Sequence, residues 1–431
     1  MSDFDHDSGH DDKSEAPNRR KVLECMTWAG TGVLWTISGG VPRSLGLVGS
    51  AQAEPAGMTF LQISDSHVGF DKAANPNALG TLEEAIGKIK SMPIKPSFMI
   101  HTGDISHLSK ASEFDDAERI ISQAKLDVHY VPGEHDFLDE EVKFYRERYG
   151  RGAQGAGWYS FDANGVHFIG LVNVVNLKAG GLGNLGSEQL EWLEQDLKGR
   201  SKSTPIVVFA HIPLWTVYPD WGWGTDDSEQ SLGLLKRFGS VSVLNGHIHQ
   251  ILQKVEGNVR FHTAMSTAFP QPAPGAAPSP GPMKVPAERL RKVLGITSLE
   301  FLRGHEALAV ADSPLDNSPG GAVAAPAAAG SVTPGTVAAA PPDSAASATA
   351  TTIRIDNFSF NPRSTTVPPG TTIAWVNADD VPHKIVSSDG KFTASPPIDT
   401  NDRYAFQFTK PGRYEYFCGL HPKMTGVIVV Q

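Results

Sequence analysis

The chain has 431 residues, 40% of them apolar, and a formal net charge of −10 at pH 7. This length exceeds one ordinary domain, and the apolar content is sufficient for buried cores. An acidic chain argues against a nucleic acid as the main partner, because binding to a phosphate backbone needs a basic face.

The first 53 residues indicate an export signal. Arg19 and Arg20 precede a moderately apolar stretch that runs to Val41, and residues 51–53 form a small-residue cleavage site. The paired arginines resemble the twin-arginine signal, which serves proteins that fold before crossing the membrane. That resemblance implies the twin-arginine export machinery as a partner and a periplasmic location. Whether the signal is cleaved stays open.

In residues 54–312, five polar clusters each follow an apolar run. They are Asp65-Ser66-His67, Gly103-Asp104, Gly133-Glu134-His135-Asp136, His211 and Gly246-His247-Ile248-His249. The apolar runs predict buried strands, and open α/β sheets place their sites at the carboxyl ends of such strands. Packing gives a fold no reason to gather carboxylates and imidazoles there unless cations neutralise them. These ligands suit two divalent or trivalent ions, with Fe, Mn and Zn all compatible.

The order and spacing of these clusters resemble the calcineurin-like metallophosphoesterases, including the class III cyclic nucleotide phosphodiesterases. The resemblance covers roughly residues 57–312. It implies an α/β sandwich with two central mixed β-sheets flanked by helices. It also implies metal-assisted hydrolysis of a small phosphorylated substrate, either a monoester or a diester.

The same resemblance implies residue roles. The implied metal ligands are Asp65, His67 and His249 for one ion, His211 and His247 for the other, and Asp104 as the bridge between them. His135 is implied to lie beside the substrate phosphate as a proton donor or charge stabiliser, with Asp136 as its supporting partner.

Glu134 departs from the family pattern, which has Asn at this position. The family amide ligates the second metal and donates a hydrogen bond to phosphate. A carboxylate is a stronger ligand, but it only accepts hydrogen bonds and repels an anionic oxygen unless it is neutralised. Glu134 is therefore predicted to bind metal and to weaken substrate binding.

Four histidines lie outside the ligand pattern. His101, His129 and His167 fall within strand-like stretches and are predicted to be packed, hydrogen-bonded side chains. His107 occupies a place where the family often has Asp. We interpret it as a substrate contact or a residue at the rim of the site.

Two stretches are rich in small residues and proline. Residues 313–350 contain almost no charge and too little apolar surface to fold, so they are predicted to be a linker. Residues 270–286 lie inside the hydrolase region. They are either a lid near the metals or an inert surface insertion, and the inert alternative is at least as well supported.

Residues 351–431 are predicted to form short strands separated by turns. The runs are 353–355, 372–376, 404–408, 412–417 and 426–430. Near the chain end stand His383, Cys418, His421 and Met424. One thiolate, two imidazoles and a weak thioether are the ligands of a blue-copper electron-transfer site.

The spacing Cys418-x2-His421-x2-Met424 resembles the cupredoxins and is most similar to that of amicyanin. This resemblance implies a Greek-key β-sandwich, one bound copper ion and a redox partner protein. Cys418 could otherwise be a small buried hydrophobe. A disulfide is disfavoured, since the only other cysteine, Cys25, lies in the predicted signal.

We therefore predict a multidomain, exported dimetal phosphohydrolase tethered to a blue-copper electron-transfer domain. The alternative is a periplasmic electron-transfer or copper-handling protein whose phosphoesterase-like domain is catalytically impaired. Glu134 is the residue that keeps this alternative open.

Overall fold

The computed structural model describes residues 33–38, 41–46, 57–138, 143–302, 308–316 and 351–431. Strands β1 (Val33–Ser38) and β2 (Val41–Gly46) form an antiparallel hairpin. The paired arginines of the predicted signal, Cys25 and residues 317–350 of the predicted linker lie outside the described residues. Within those ranges, every helix is too short or too polar to cross a membrane.

The hydrolase domain contains eleven strands and six α-helices among the described residues. Strands β3 to β13 are Met58–Ile63, Met99–His101, Val128–Tyr130, Tyr159–Ala163, Val166–Gly170, Ile206–Phe209, Val241–Asn245, Gln253–Glu256, Val259–Thr263, Gly295–Phe301 and Ala309–Pro314. Helices α1 to α6 are Ala78–Lys90, Ala111–Ile121, Lys143–Tyr149, Ser187–Leu197, Ser228–Leu235 and Ala287–Val293.

Two mixed sheets form the centre of this domain, as predicted. One has the order β13-β12-β3-β4-β5, with β3, β4 and β5 parallel and β12 antiparallel to β3. The other has the order β10-β11-β9-β8-β7-β6, with a parallel centre and antiparallel edges. Parallel strands carry their carboxyl ends to one edge, so the polar clusters after them converge.

Alternation along the strands explains how the sheets pack. In β3, Leu61 and Ile63 face the helical side, where they join the buried cluster that contains α1 and α2 residues. Phe60 points the other way and packs edge-on against Phe168 of the second sheet, with ring centroids 5.3 Å apart. The two sheets therefore share an apolar layer, and helices cover the five-stranded sheet on its outer face.

Residues 351–431 form the predicted β-sandwich. Strands β14 to β21 are Thr351–Ile355, Phe360–Asn361, Ser364–Val367, Thr371–Asn377, Ile385–Ser387, Arg403–Phe408, Gly412–Cys418 and Thr425–Val430. Their sheets have the orders β15-β14-β17-β19 and β16-β21-β20-β18. Trp375, Phe408 and Tyr416 are fully buried in its core. The short strands β15, β16 and β18 were not predicted, because runs of two to four residues carry little periodicity.

Candidate metal centres

Five of the predicted ligands have left-handed backbone conformations. Their φ values are 53° for Asp65, 38° for His67, 53° for Asp104, 70° for His247 and 53° for His249. A side chain other than glycine in this region costs about 1–3 kcal/mol and persists only where the surroundings enforce it. Such strain is concentrated at functional sites, and here it marks the loops that follow the strands.

The first group of predicted ligands converges around Asp65. Its Oδ1 lies 3.3 Å from Nε2 of His249, which lies 3.3 Å from Nε2 of His67. The same nitrogen of His67 lies 3.5 Å from Oδ2 of Asp104. All four side chains are buried. The structure therefore brings together the four residues assigned to one ion.

The second group converges around Glu134. Its Oε2 lies 3.0 Å from Nε2 of His211, and its Oε1 lies 3.0 Å from Nδ1 of His247. Oδ2 of Asp104 lies 3.3 Å from Nε2 of His211. This is the same oxygen that approaches His67, so one carboxylate atom of Asp104 belongs to both groups. That placement suits the bridging role predicted for Asp104.

The hydrogen bonds behind the imidazoles indicate what the groups can hold. Nδ1 of His211 donates to the Thr102 carbonyl at 2.7 Å, and Nδ1 of His249 donates to the Phe269 carbonyl at 2.6 Å. Their Nε2 lone pairs then face carboxylate oxygens, an arrangement that repels unless a cation lies between. Ligands about 2.1 Å from one ion are themselves about 3–3.5 Å apart. The donor set therefore fits two metal ions.

The pKa shifts of Asp104 and His211 also indicate that the buried carboxylates need a neutralising cation. Burial raises the pKa of Asp104 well above its usual range, and Glu134 beside it raises that pKa further. Burial opposes protonation of His211, but the carboxylates of Asp104 and Glu134 hold its pKa well above the usual value. The buried carboxylates of Asp104 and Glu134 are thus neutralised only by a protonated imidazole. Two bound metal ions would supply that positive charge instead.

Two glycines make the close approach of the loops feasible. A Cβ atom at Gly133 would lie 2.0 Å from Oδ1 of Asp104. A Cβ atom at Gly246 would lie 2.0 Å from Oγ of Ser64 and 2.6 Å from Oδ2 of Asp65. Any side chain at either position would displace a predicted ligand.

His135 lies beside the first group. Its Nδ1 donates to the His107 carbonyl at 2.8 Å, and its backbone N–H donates to Oδ1 of Asp104 at 3.0 Å. The ring stands edge-on to His67, with centroids 4.6 Å apart. Burial, with a smaller contribution from His421, lowers the pKa of His135 to about 4 against the opposing effect of Glu134. Nε2 is thus the ring atom left to meet a substrate.

Asp136, which was predicted to support His135, contacts other groups. Its oxygens accept hydrogen bonds from the backbone N–H groups of Ile105, Ser106 and Gly133, and from the Ser106 hydroxyl. The distances are 2.9–3.1 Å. Asp136 therefore ties the loop that carries Asp104 to the loop that carries Glu134, which is a positioning role.

His107 is more deeply placed than a rim residue. It is 1% exposed, and its ring stacks on that of His135 with centroids 5.2 Å apart. Among the described residues, neither of its ring nitrogens has a hydrogen-bond partner. By contrast, His101 and His167 are hydrogen-bonded within the fold, to Ser66 and to a pair of aspartates respectively, as predicted.

The predicted copper ligands converge at one end of the β-sandwich. Sγ of Cys418 lies 3.5 Å from Nδ1 of His383 and 3.5 Å from Nδ1 of His421, and these two nitrogens are 3.3 Å apart. Met424 is buried in the same apolar cluster as Cys418. Burial opposes ionisation of the thiol, but His421 and His383 hold the pKa of Cys418 well below its usual range. An N2S triangle with a nearby thioether fits copper.

Sequence reasoning missed Asp379. Its Oδ2 lies 2.9 Å from Nε2 of His383, so the carboxylate fixes the ring and leaves Nδ1 for the metal. Asp379 also accepts hydrogen bonds from the backbone N–H groups of Asn357 and Phe358, both of which have positive φ. An aspartate four residues before a predicted histidine ligand was the available signal.

Comparison with known proteins identifies the same two domains. Residues 58–251 match the family model for calcineurin-like phosphoesterases, and residues 329–430 match that for cupredoxin-like domains. A 3',5'-cyclic-nucleotide phosphodiesterase of Nostoc sp. is 22% identical over 221 residues, covering 49% of this chain and 79% of that protein. A serine/threonine-protein phosphatase of Danio rerio is 26% identical over 236 residues, covering 48% and 74%. Amicyanin-alpha of Methylorubrum extorquens is 31% identical over 90 residues, covering 20% and 76%.

Proposed function

The chain belongs to the cupredoxin family through residues 329–430 and carries a calcineurin-like phosphoesterase domain at residues 58–251, and from this we propose that it is an exported dimetal phosphohydrolase with a blue-copper domain. The substrate is a small phosphate monoester or diester. Fe, Mn and Zn all suit the dinuclear donor set. The observation that carries the proposal is the single oxygen of Asp104 shared by two ligand groups.

Two ions held there would supply the positive charge that binds a phosphoryl oxygen and lowers the pKa of water. The chain supplies the rest. Asp136 holds the loops of Asp104 and Glu134 together. The His107 carbonyl accepts the Nδ1 proton of His135 and leaves Nε2 for the substrate, where a bound phosphate anion would favour protonation of Nε2. The protonated ring would then stabilise the phosphoryl group or donate a proton to the leaving oxygen.

The copper domain and the compartment complete the proposal. His383, Cys418, His421 and Met424 would hold one copper ion, and the thiolate would make it a one-electron site. The paired arginines support export by the twin-arginine machinery to the periplasm. Hydrolysis of an aryl phosphate by the full chain, loaded with Mn, Fe or Zn, tests the hydrolase. A reversible one-electron couple tests the copper domain and also separates electron transfer from copper storage.

One observation favours a second candidate, an electron-transfer or copper-handling protein with an impaired phosphoesterase-like domain. Both oxygens of Glu134 face ligand imidazoles, and as a carboxylate it gives no hydrogen bond to an anion. The amide found in the family would donate one. The two candidates therefore differ in what Glu134 does to a bound phosphate.

Glu134→Gln and Glu134→Asn are expected to separate these candidates. Restoring a donor should strengthen phosphate binding by about 1–3 kcal/mol, and loss of the negative charge should loosen the second metal. At least one variant should therefore raise kcat/KM on aryl phosphate esters, measured at saturating metal. Two inactive variants beside an active wild type would make Glu134 an adapted ligand. Inactivity of all three proteins would favour the second candidate.

A further inference from the structure

The two predicted metal centres open onto one cavity. A space of about 250 Å³ is lined by His247 from the dinuclear group and by His421 and Met424 from the copper group. Ile212 of the hydrolase domain and Phe358 of the β-sandwich contribute apolar side chains to its lining. A cavity of this size accommodates a small anion or ester but not a macromolecule. His421, which is partly exposed, therefore faces this shared space.

Hydrogen bonds join the two domains at two places. The loop that carries His421 accepts a hydrogen bond at the Pro422 carbonyl from the Gly180 N–H at 2.6 Å, and Lys423 donates to the Gly180 carbonyl at 2.7 Å. At the second place, Lys384 donates to the Leu138 carbonyl at 3.0 Å. The Leu138 side chain is 2% exposed and packs within the core cluster of the β-sandwich.

The proline-rich insertion, residues 270–286, also contributes to the lining of the cavity. Residues 278–280 and residues 357–359 both line the cavity. A Cβ atom at Gly281 would lie 3.1 Å from the ring of Phe358, and that ring lies 4.7 Å from the ring of His421. Of the two interpretations of residues 270–286, the one that places them near the metals is the one the structure supports.

We propose that this cavity links anion binding at the dinuclear site to the oxidation state of the copper site. Oxidised and reduced copper differ by one unit of charge. His421, a predicted copper ligand, and His247, a predicted ligand of the dinuclear site, line the same cavity, so the charge on the copper would act on an anion bound there. A phosphate held there should bind more tightly when the copper is oxidised. The inference rests on the proposed function only in requiring that the dinuclear site binds an anion and that the second site binds copper.

The link must act in both directions. If oxidation of the copper raises phosphate affinity by some factor, phosphate must favour the oxidised copper by the same factor. In a partly desolvated space of this size, one unit of charge is expected to change binding by about tenfold. For a one-electron couple, tenfold corresponds to about 59 mV, and phosphate therefore lowers the copper reduction potential. The electron comes from the titrant, and no atom is transferred.

The test is a potentiometric titration of the copper absorption in the full chain, with and without inorganic phosphate. Zinc, which has no redox chemistry, is loaded into the dinuclear site, so that any shift reports charge and not electron exchange. We expect phosphate to lower the potential by about 59 mV. A shift of less than about 18 mV, equivalent to twofold, or a shift to higher potential would overturn the inference.

Protein variants locate the link at the domain contact. Leu138→Asp should separate the domains, because a carboxylate is not stable in the apolar cluster, and Lys384→Ala removes a cross-domain hydrogen bond with less disruption. Both should keep the copper colour and reduce the phosphate-dependent shift. The matched controls are Val255→Asp, at a position 66% exposed, and Lys391→Ala, whose side chain bonds within its own domain. The controls should retain the full shift, and equal shifts in all proteins would contradict the proposed location.

The outcomes for the hydrolase and for the link are separable. Hydrolysis without a potential shift would retain the proposed function and reject the link. A shift without hydrolysis of any ester would retain the link and reject the hydrolase.

Discussion

Asp104→Asn is expected to abolish esterase activity and to remove metal from the hydrolase domain. One oxygen of Asp104 lies within 3.5 Å of ligand nitrogens in both groups, so its charge serves two ions. The amide keeps the size and an acceptor for the His135 N–H but carries no charge. We expect activity to fall by a thousandfold or more, because loss of the bridge affects both ions. Metal content per chain and kcat/KM on an aryl phosphate measure the effect.

His135→Ala is the matched control for that variant. His135 approaches the ligand groups but is not needed to hold an ion in the geometry described. The His135→Ala variant should therefore keep the wild-type metal content. Its kcat/KM should fall by roughly a hundredfold to ten-thousandfold, the usual contribution of a general acid or base. The residue roles would be reversed if His135→Ala lost its metals while Asp104→Asn kept them.

Cys418→Ser is expected to eliminate the intense visible colour of the oxidised protein. The colour of a blue-copper site requires a thiolate, and Cys418 is a buried thiol 3.5 Å from both ligand nitrogens. A hydroxyl of similar size leaves the core packed but gives no copper–thiolate absorption. The visible spectrum and the copper content of Cu(II)-loaded protein measure this.

Met424→Leu is the conservative comparison at the same site. Leucine fills the volume of Met424 in the apolar cluster but removes the thioether, a weak donor that favours Cu(II). Copper and colour should be retained, and the reduction potential should rise. A wild-type protein that takes up Cu(II) but shows no strong visible absorption would refute the blue-copper assignment.

The dinuclear ligand groups could be predicted because each polar cluster follows a short apolar run, which favours a buried strand with the cluster at its carboxyl end. β9 ends at Asn245, directly before the cluster that begins at Gly246, and β3 ends at Ile63, two residues before Asp65. The copper ligands could be predicted equally well, since three of them lie in one segment of seven residues, 418–424. Local spacing therefore carried most of the information about these sites.

What the sequence did not indicate depends on contacts between distant residues. Asp136 is adjacent to His135, but two of its backbone N–H partners, Ile105 and Ser106, lie about thirty residues away, which no local pattern specifies. Of the two interpretations of His107, the rim residue is wrong, because the turn after Asp104 buries its ring against that of His135. The shared cavity is lined by residues of both domains, and the contact of Leu138 with the β-sandwich joins those domains; neither can be inferred from local sequence.

The most direct test of phosphoester hydrolysis at a dinuclear site is turnover of an aryl phosphate monoester and diester by the full chain, with its metals determined on the same sample. We expect two ions besides copper in each chain, and turnover that is lost on removal of those ions and restored by Mn, Fe or Zn. Two bound ions with no turnover of either ester, or turnover that Asp104→Asn leaves unchanged, would contradict this function.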